Sequence, residues 1–120
     1  PERRHEQYLK NVDFIQRYVF PGGMLPSRNS FKASAAQAGL KVEAEFAFGS
    51  DYAKTLCIWR DNFNQKLQAV RQLGFDEAFI RLWNFYLMYC SAGFSERNID
   101  VVQFTLSHQS ASFSPDALSA

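Results

Sequence analysis

Six large apolar residues, Tyr52, Leu56, Trp59, Phe63, Leu67 and Val70, recur at steps of four and three. That spacing puts them on one face of an α-helix, so this stretch must be helical and must bury a stripe. Ser50 is the expected N-cap, because its hydroxyl can accept from an unpaired N–H of the first turn. Asp51 adds negative charge at the positive end of the helix dipole. The helix is expected to run from Asp51 to about Leu73 and to close at Gly74. Tyr52 then opens the stripe in the first turn. Once covered, its hydroxyl needs a polar partner. It is either a core residue or a site residue, and spacing alone favours the core.

The flanking segments arrange themselves around that helix. Tyr8, Val12, Ile15 and Val19, widened by Leu9 and Phe14, predict a helix over 4–19 that must stop at Pro21 and Gly22. The loop Phe20-Pro21-Gly22-Gly23-Met24-Leu25-Pro26-Ser27 carries three large apolar side chains, Phe20, Met24 and Leu25, which are expected to turn inward. Ser30 or Asn29 caps a short helix, 31–38, with Gly39 at its C′ position. Leu40, Val42, Ala44, Phe46 and Phe48 alternate with polar residues, which predicts a strand over 40–48 with one buried face. Asp76 caps another helix. Phe79, Leu82, Trp83, Phe85, Tyr86, Leu87, Met88 and Tyr89 leave it few polar positions, so it must be buried or cover a ligand. Ile99 to Ser107 is a second strand, with Val102, Phe104 and Leu106 on one face. The fold class is α/β, with about four helices and two strands that are expected to pair antiparallel. The ordered domain is expected over 1–108, and the Ser- and Ala-rich stretch 109–120 reads as a disordered tail.

Composition narrows the function. With 120 residues, 47% hydrophobic and 16% aromatic, the chain has one domain at most and can build a core. A net charge of +1, with Lys and Arg scattered along helix faces, gives no footprint for nucleic acid. Cys57 and Cys90 lie inside apolar helical patterns and read as small buried hydrophobes in a reducing compartment. His5 and His108 have no second ligand at metal spacing, so no metal site is expected. No apolar run is long enough to span a bilayer. Two strands alone make a poor sheet. The chain also starts at Pro1 without a methionine. A piece of a longer protein is therefore expected, and the free strand edges and apolar faces favour a homo-oligomer.

The order Asp13-Phe14-Ile15-Gln16-Arg17-Tyr18-Val19-Phe20-Pro21-Gly22-Gly23-Met24-Leu25-Pro26-Ser27, then the Gly39-Leu40 strand entry, resembles the cyclopropane-fatty-acyl-phospholipid synthase family. So do Tyr52-Ala53-Lys54-Thr55-Leu56 with Trp59-Arg60 and Phe63, and Tyr86-Leu87 with Cys90, Phe94, Ile99 and Val101-Val102-Gln103-Phe104. The resemblance spans residues 8 to 108. It implies the C-terminal third of a Rossmann-like class I methyltransferase, with the two strands as the last two of a seven-stranded sheet. It implies an S-adenosylmethionine-dependent enzyme that adds a methylene across the double bond of an unsaturated phospholipid acyl chain. Such an enzyme would work in the cytoplasm at the inner membrane surface. Arg3, Arg4, Lys10 and Arg17 would lie near an acyl entrance, where peripheral membrane contact is possible.

The same resemblance places the glycine-rich cofactor loop and the Cys, Glu and His that help to hold bicarbonate upstream of Pro1. This segment alone is then expected to be inactive. Gly22-Gly23 is no phosphate cradle, because no strand precedes it. By resemblance Tyr52 is the tyrosine that hydrogen-bonds the active-site bicarbonate, and Phe20, Leu25, Leu56, Cys90 and Phe94 line the acyl channel. For Leu56 and Cys90 plain core packing is an equal reading. A related methyltransferase with another lipid or small-molecule substrate, and a non-enzymatic lipid-binding or interaction domain, are the alternatives.

Overall fold

The computed structural model describes residues 4–5 and 13–109. Most of the expected helix 4–19, with Tyr8, Leu9, Lys10 and Val12, lies outside the described residues, as does the tail 110–120. The described end of that helix is a π-helical turn, Ile15–Val19. The turn is entered at Asp13, whose Oδ1 accepts from Gln16 N at 2.8 Å. It widens because Phe20 N donates to Ile15 O, five residues back, at 2.7 Å. Pro21 disfavours helical geometry at Phe20, whose backbone turns away with φ −128° and ψ 78°. Gly22, at φ +79°, then makes the turn that an L side chain would strain. The loop departs from expectation. Phe20, Met24 and Leu25 are each more than half exposed. The loop is tied down through polar groups instead, with Gln16 Nε2 donating to Gly23 O at 2.8 Å.

Helix α1 spans Arg28–Gln37, one turn earlier than the sequence suggests. The cap is Ser27, and Ser30 sits at N3. Each hydroxyl accepts from the other residue's N–H, a reciprocal capping box that the lack of Glu or Gln at N3 conceals. Gly39, at φ +77°, follows the last turn as expected and leads into β1, Leu40–Ala47. Strand β2, Val102–His108, pairs with β1 antiparallel, as expected. The expected single buried face on β1 does not form. A bulge between Val42 and Ala44 leaves Glu43 as an extra residue, so alternation reverses there. Val42 shares a face with Leu106 and Phe104. After the bulge that face is taken by Glu45, and Phe46 turns to the other side, where it is 62% exposed. Helix α1 covers the Phe104 face. Phe31 stacks on Phe104 at 4.4 Å between centroids, while Arg28 and Lys32 pair with Glu45.

The expected long helix is broken in two: α2, Gly49–Asn64, and α3, Leu67–Gln72. The bonding tightens at the junction, where Lys66 N reaches Phe63 O, three residues back, at 3.0 Å. Neither residue at this corner is a glycine or proline. Helix α4, Glu77–Ser95, is capped by the Asp76 side chain on Phe79 N at 2.9 Å, as expected. Arg71 and Glu77 pair at 2.6 Å across the α3–α4 corner. Helices α2 and α4 run antiparallel, since contacts pass from Ala53–Ser91 through Arg60–Met88 to Asn64–Asn84. Their seam holds the core: Ala53, Leu56, Leu87, Cys90 and Phe94. Trp59 is nearly half exposed, so the buried face lies slightly off the stripe of large residues. The small side chain of Ala53 admits α4 closely enough for Ser91 Oγ to donate to Ala53 O at 3.1 Å. Phe85 and Tyr89 are exposed, so α4 is not buried all round.

Candidate functional site

The first turn of α2 carries Tyr52, and its capping is not local. The N-cap is Phe48, which supplies no side-chain bond, and Ser50 lies inside the helix with its side chain exposed. The acceptor for the first N–H comes from 51 residues away, where Asp100 Oδ1 accepts from Gly49 N at 2.9 Å. Tyr52 is half-buried and packs on the core cluster. Its ring meets Phe94 edge-on at 5.0 Å and Trp59 edge-on at 5.8 Å. Such T-shaped contacts favour a fixed ring orientation. Among the described residues the Tyr52 hydroxyl makes no hydrogen bond.

Helix α4 supplies the facing wall. Tyr86, Cys90 and Phe94 follow one another at four-residue spacing, so they stack along one face. Burial pushes the Cys90 thiol above its ordinary range, and its hydrogen bond with Tyr86 offsets part of that rise. At neutral pH this thiol is protonated and is no nucleophile. Burial likewise raises the Tyr86 phenol, helped by the nearby Cys90 and Tyr52. Phe20 meets Tyr86 edge-on at 5.9 Å, and Trp83 lies 5.0 Å away on the other side. Leu56, 2% exposed, lies under the wall in the core.

The structure therefore brings Tyr52, Leu56, Cys90 and Phe94 together, with Phe20 at the rim. Leu25 stays out on the loop, with its carbonyl oxygen 3.1 Å from His5 Nε2. Two residues of the arrangement escaped the sequence reading. Tyr86 shares the spacing of Cys90 and Phe94, but on a helix so apolar the pattern singles out nothing. Asp100 has no local signal at all. An open cleft beside the wall is lined by Arg28, Phe48, Gly49, Asp51, Phe94 and Asp100. Among the described residues no group of three His, Cys, Asp or Glu could hold a metal, and no helix is long and apolar enough to cross a membrane. The wall offers an apolar surface, and the Tyr52 hydroxyl beside it makes no hydrogen bond among the described residues.

Comparison with known proteins gives a consistent picture. The model of the mycolic acid cyclopropane synthetase family matches residues 1–104. Tuberculostearic acid methyltransferase UfaA1 of Mycobacterium tuberculosis is 43% identical over 94 residues, 78% of this chain and 22% of that protein. Cyclopropane-fatty-acyl-phospholipid synthase of Escherichia coli is 33% identical over 98 residues, 81% of this chain and 25% of that protein. The structure of mycolic acid cyclopropane synthase CmaA1 complexed with SAH and CTAB superposes with a TM-score of 0.75 at 29% identity. That superposition covers 88% of this chain and 39% of that one. The chain spans about a quarter of the length of these two curated relatives, and its match falls in their C-terminal part.

Proposed function

The chain belongs to the mycolic acid cyclopropane synthetase family of methyltransferases, and on that premise we propose that it forms the acyl-facing wall of a lipid-modifying enzyme. The whole protein would transfer a one-carbon unit from S-adenosylmethionine to the double bond of an unsaturated phospholipid acyl chain. Phe20, Leu25, Cys90 and Phe94 would line the channel, with Leu56 as its packed floor. The cofactor would be held elsewhere, since the described strand-to-helix turn from β1 to α2 carries a single glycine, Gly49, whose N–H is already bonded to Asp100, and no glycine-rich run. Bicarbonate, when bound, would supply the base for the proton lost after transfer. Tyr52 fits such an anion, because the residue is half-buried and among the described residues its hydroxyl makes no hydrogen bond. Its part is to donate one hydrogen bond and to hold the anion against an apolar wall that excludes water. Exposed Tyr18, Phe20, Met24 and Phe85, with the Arg17 guanidinium 5.6 Å from the Tyr18 ring centroid, support contact with a lipid surface.

The single observation that carries this reading is the Tyr52 hydroxyl, without a hydrogen bond among the described residues, on a ring that packs against Phe94. Tyr52→Phe in the full-length enzyme tests it. Losing a hydrogen bond to a charged partner costs about 1.5–3 kcal/mol, or roughly ten- to a hundredfold in turnover. The melting temperature should hold, because the ring stays, and added bicarbonate should restore part of the loss. Wild-type turnover at low bicarbonate would make Tyr52 a packing residue. A second reading, methylation of a fatty acyl chain without ring closure, is favoured by the 43% identity to a protein named as a methyltransferase. Proton NMR of the product separates a cyclopropane ring from a methyl branch.

A further inference from the structure

We infer that Asp100 is a positioning residue for Tyr52, the non-local cap that sets where the phenol stands against the α4 wall. The inference rests on the reading of Tyr52 given above. Asp100 Oδ1 accepts from Gly49 N and from its neighbour Val101 N, each at 2.9 Å. Asp100 Oδ2 accepts from Arg28 Nη2 at 2.6 Å. One carboxylate thus joins three elements: the start of α2, the entry to β2 and the first residue of α1. Backbone bonds reinforce the joint. Phe48 N donates to Val101 O at 2.9 Å, and Tyr52 N donates to Phe48 O at 3.0 Å. The first turn of α2 is therefore referenced to the chain around Asp100 rather than to a cap of its own.

The approach is close enough to favour glycine. A Cβ on Gly49 would collide with Asp100 Oδ1 and lie 3.3 Å from its Cα, so an alanine there must push the carboxylate away. The other side of Tyr52 is referenced to the same segment. Gly93 O, in the last turn of α4, accepts from Asn98 N at 2.9 Å and from Ile99 N at 3.3 Å, immediately before Asp100. Phe94, the ring that faces Tyr52, follows Gly93. The chain from Asn98 to Asp100 thus joins the two backbone segments that hold the Tyr52–Phe94 contact, through backbone bonds on the α4 side and through the Asp100 carboxylate on the α2 side. Nothing local at the α2 start can replace it, because Phe48 offers no polar side chain and Ser50 lies past the cap.

A double-mutant cycle in the full-length enzyme tests this, with turnover, KM for the acyl substrate and melting temperature read for each protein. A displacement of about 1 Å at a reacting group can cost on the order of a hundredfold. Asp100→Ala is therefore expected to lower turnover at least about tenfold with KM for the acyl chain unchanged. Asp100→Asn, which keeps an oxygen for both N–H groups, should stay within about threefold. If Asp100 acts through Tyr52, then in a Tyr52→Phe background Asp100→Ala should cost less than about twofold more. Gly49→Ala strikes the joint from the other side and should show the same non-additivity, which keeps the test open if Asp100→Ala does not fold. Fully additive losses in turnover, or a loss confined to melting temperature, would overturn the inference while leaving Tyr52 as the anion ligand. Wild-type turnover in Tyr52→Phe alone would remove that reading and this inference with it.

Discussion

Leu56→Ala separates packing from pocket. The side chain is 2% exposed and touches Ala53, Leu87, Cys90 and Phe94 across the α2–α4 seam. Truncation loses the transfer free energy of the removed carbons and leaves a hole, and Leu→Ala in a core costs about 2–5 kcal/mol depending on how far the walls collapse. Here the walls are pinned. Ser91 Oγ holds Ala53 O at 3.1 Å, and Asn64 and Asn84 exchange amide hydrogen bonds at 2.8 and 2.9 Å. Little collapse is available, so a value of about 3 kcal/mol or more follows. With a urea slope of about 2 kcal/mol per molar, the unfolding midpoint should fall by about 1.5 M. Leu56→Met keeps the volume and should cost under about 1.5 kcal/mol. The assay is urea titration followed by tryptophan fluorescence, since Trp59 and Trp83 flank the seam. A loss below about 1 kcal/mol would mean that Leu56 borders open space, and the pinned-wall reasoning would fail.

Three other outcomes follow from the same geometry. Half-buried Cys57 should react with a maleimide well before buried Cys90, read by peptide mass spectrometry, and equal rates would contradict the burial difference. Burial raises the folded-state pKa of Cys90 and Tyr86, so their contribution to stability is full below the unfolded thiol value of about 8.5. It drains as pH rises through the folded values, so melting temperature should fall on the alkaline side and Cys90→Ala should flatten part of that fall. The isolated 120-residue chain should not bind S-adenosylmethionine, because the described strand-to-helix turn from β1 to α2 has one glycine, with its N–H already bonded to Asp100, and no glycine-rich run. Tight binding in calorimetric titration would refute that.

What the sequence made legible was whatever depended on neighbours in the chain. The Asp76 cap, the Gly39 helix stop, the two strands and the helical stretch after Gly49 all rest on local spacing, and all are found. The failures share a different cause. The β1 bulge reverses a perfect alternation because register is set by pairing with β2, not by composition. Ser50 has the chemistry of a cap, but Asp100 serves the first N–H from across the fold, so the helix starts two residues earlier than expected. Large residues marked the α2 stripe, yet a side-chain-to-backbone contact with α4 forms over Ala53, where the side chain is small and buried. The loop carrying Phe20, Met24 and Leu25 was misjudged because apolar character shows a need for cover without showing what supplies it.

The candidate site itself divides along the same line. Its wall, Leu56, Cys90 and Phe94, belongs to a helix pair with a core of its own, and side chains on packed helices hold position well. Its phenol belongs to that pair as well, but the turn that carries it is fixed by a carboxylate on the strand side. The sheet that this carboxylate leads into has only two strands among the described residues, covered on one face by α1 through Phe31 and the Arg28 and Lys32 ion pairs with Glu45. Exposed ion pairs of that kind contribute little each, so the sheet is the softer partner. The orientation of Tyr52 is therefore set where the stable helix pair meets the less stable sheet. Any interaction that firms the sheet, whether from more of the same protein or from a lipid surface, would sharpen the placement of the phenol without touching it.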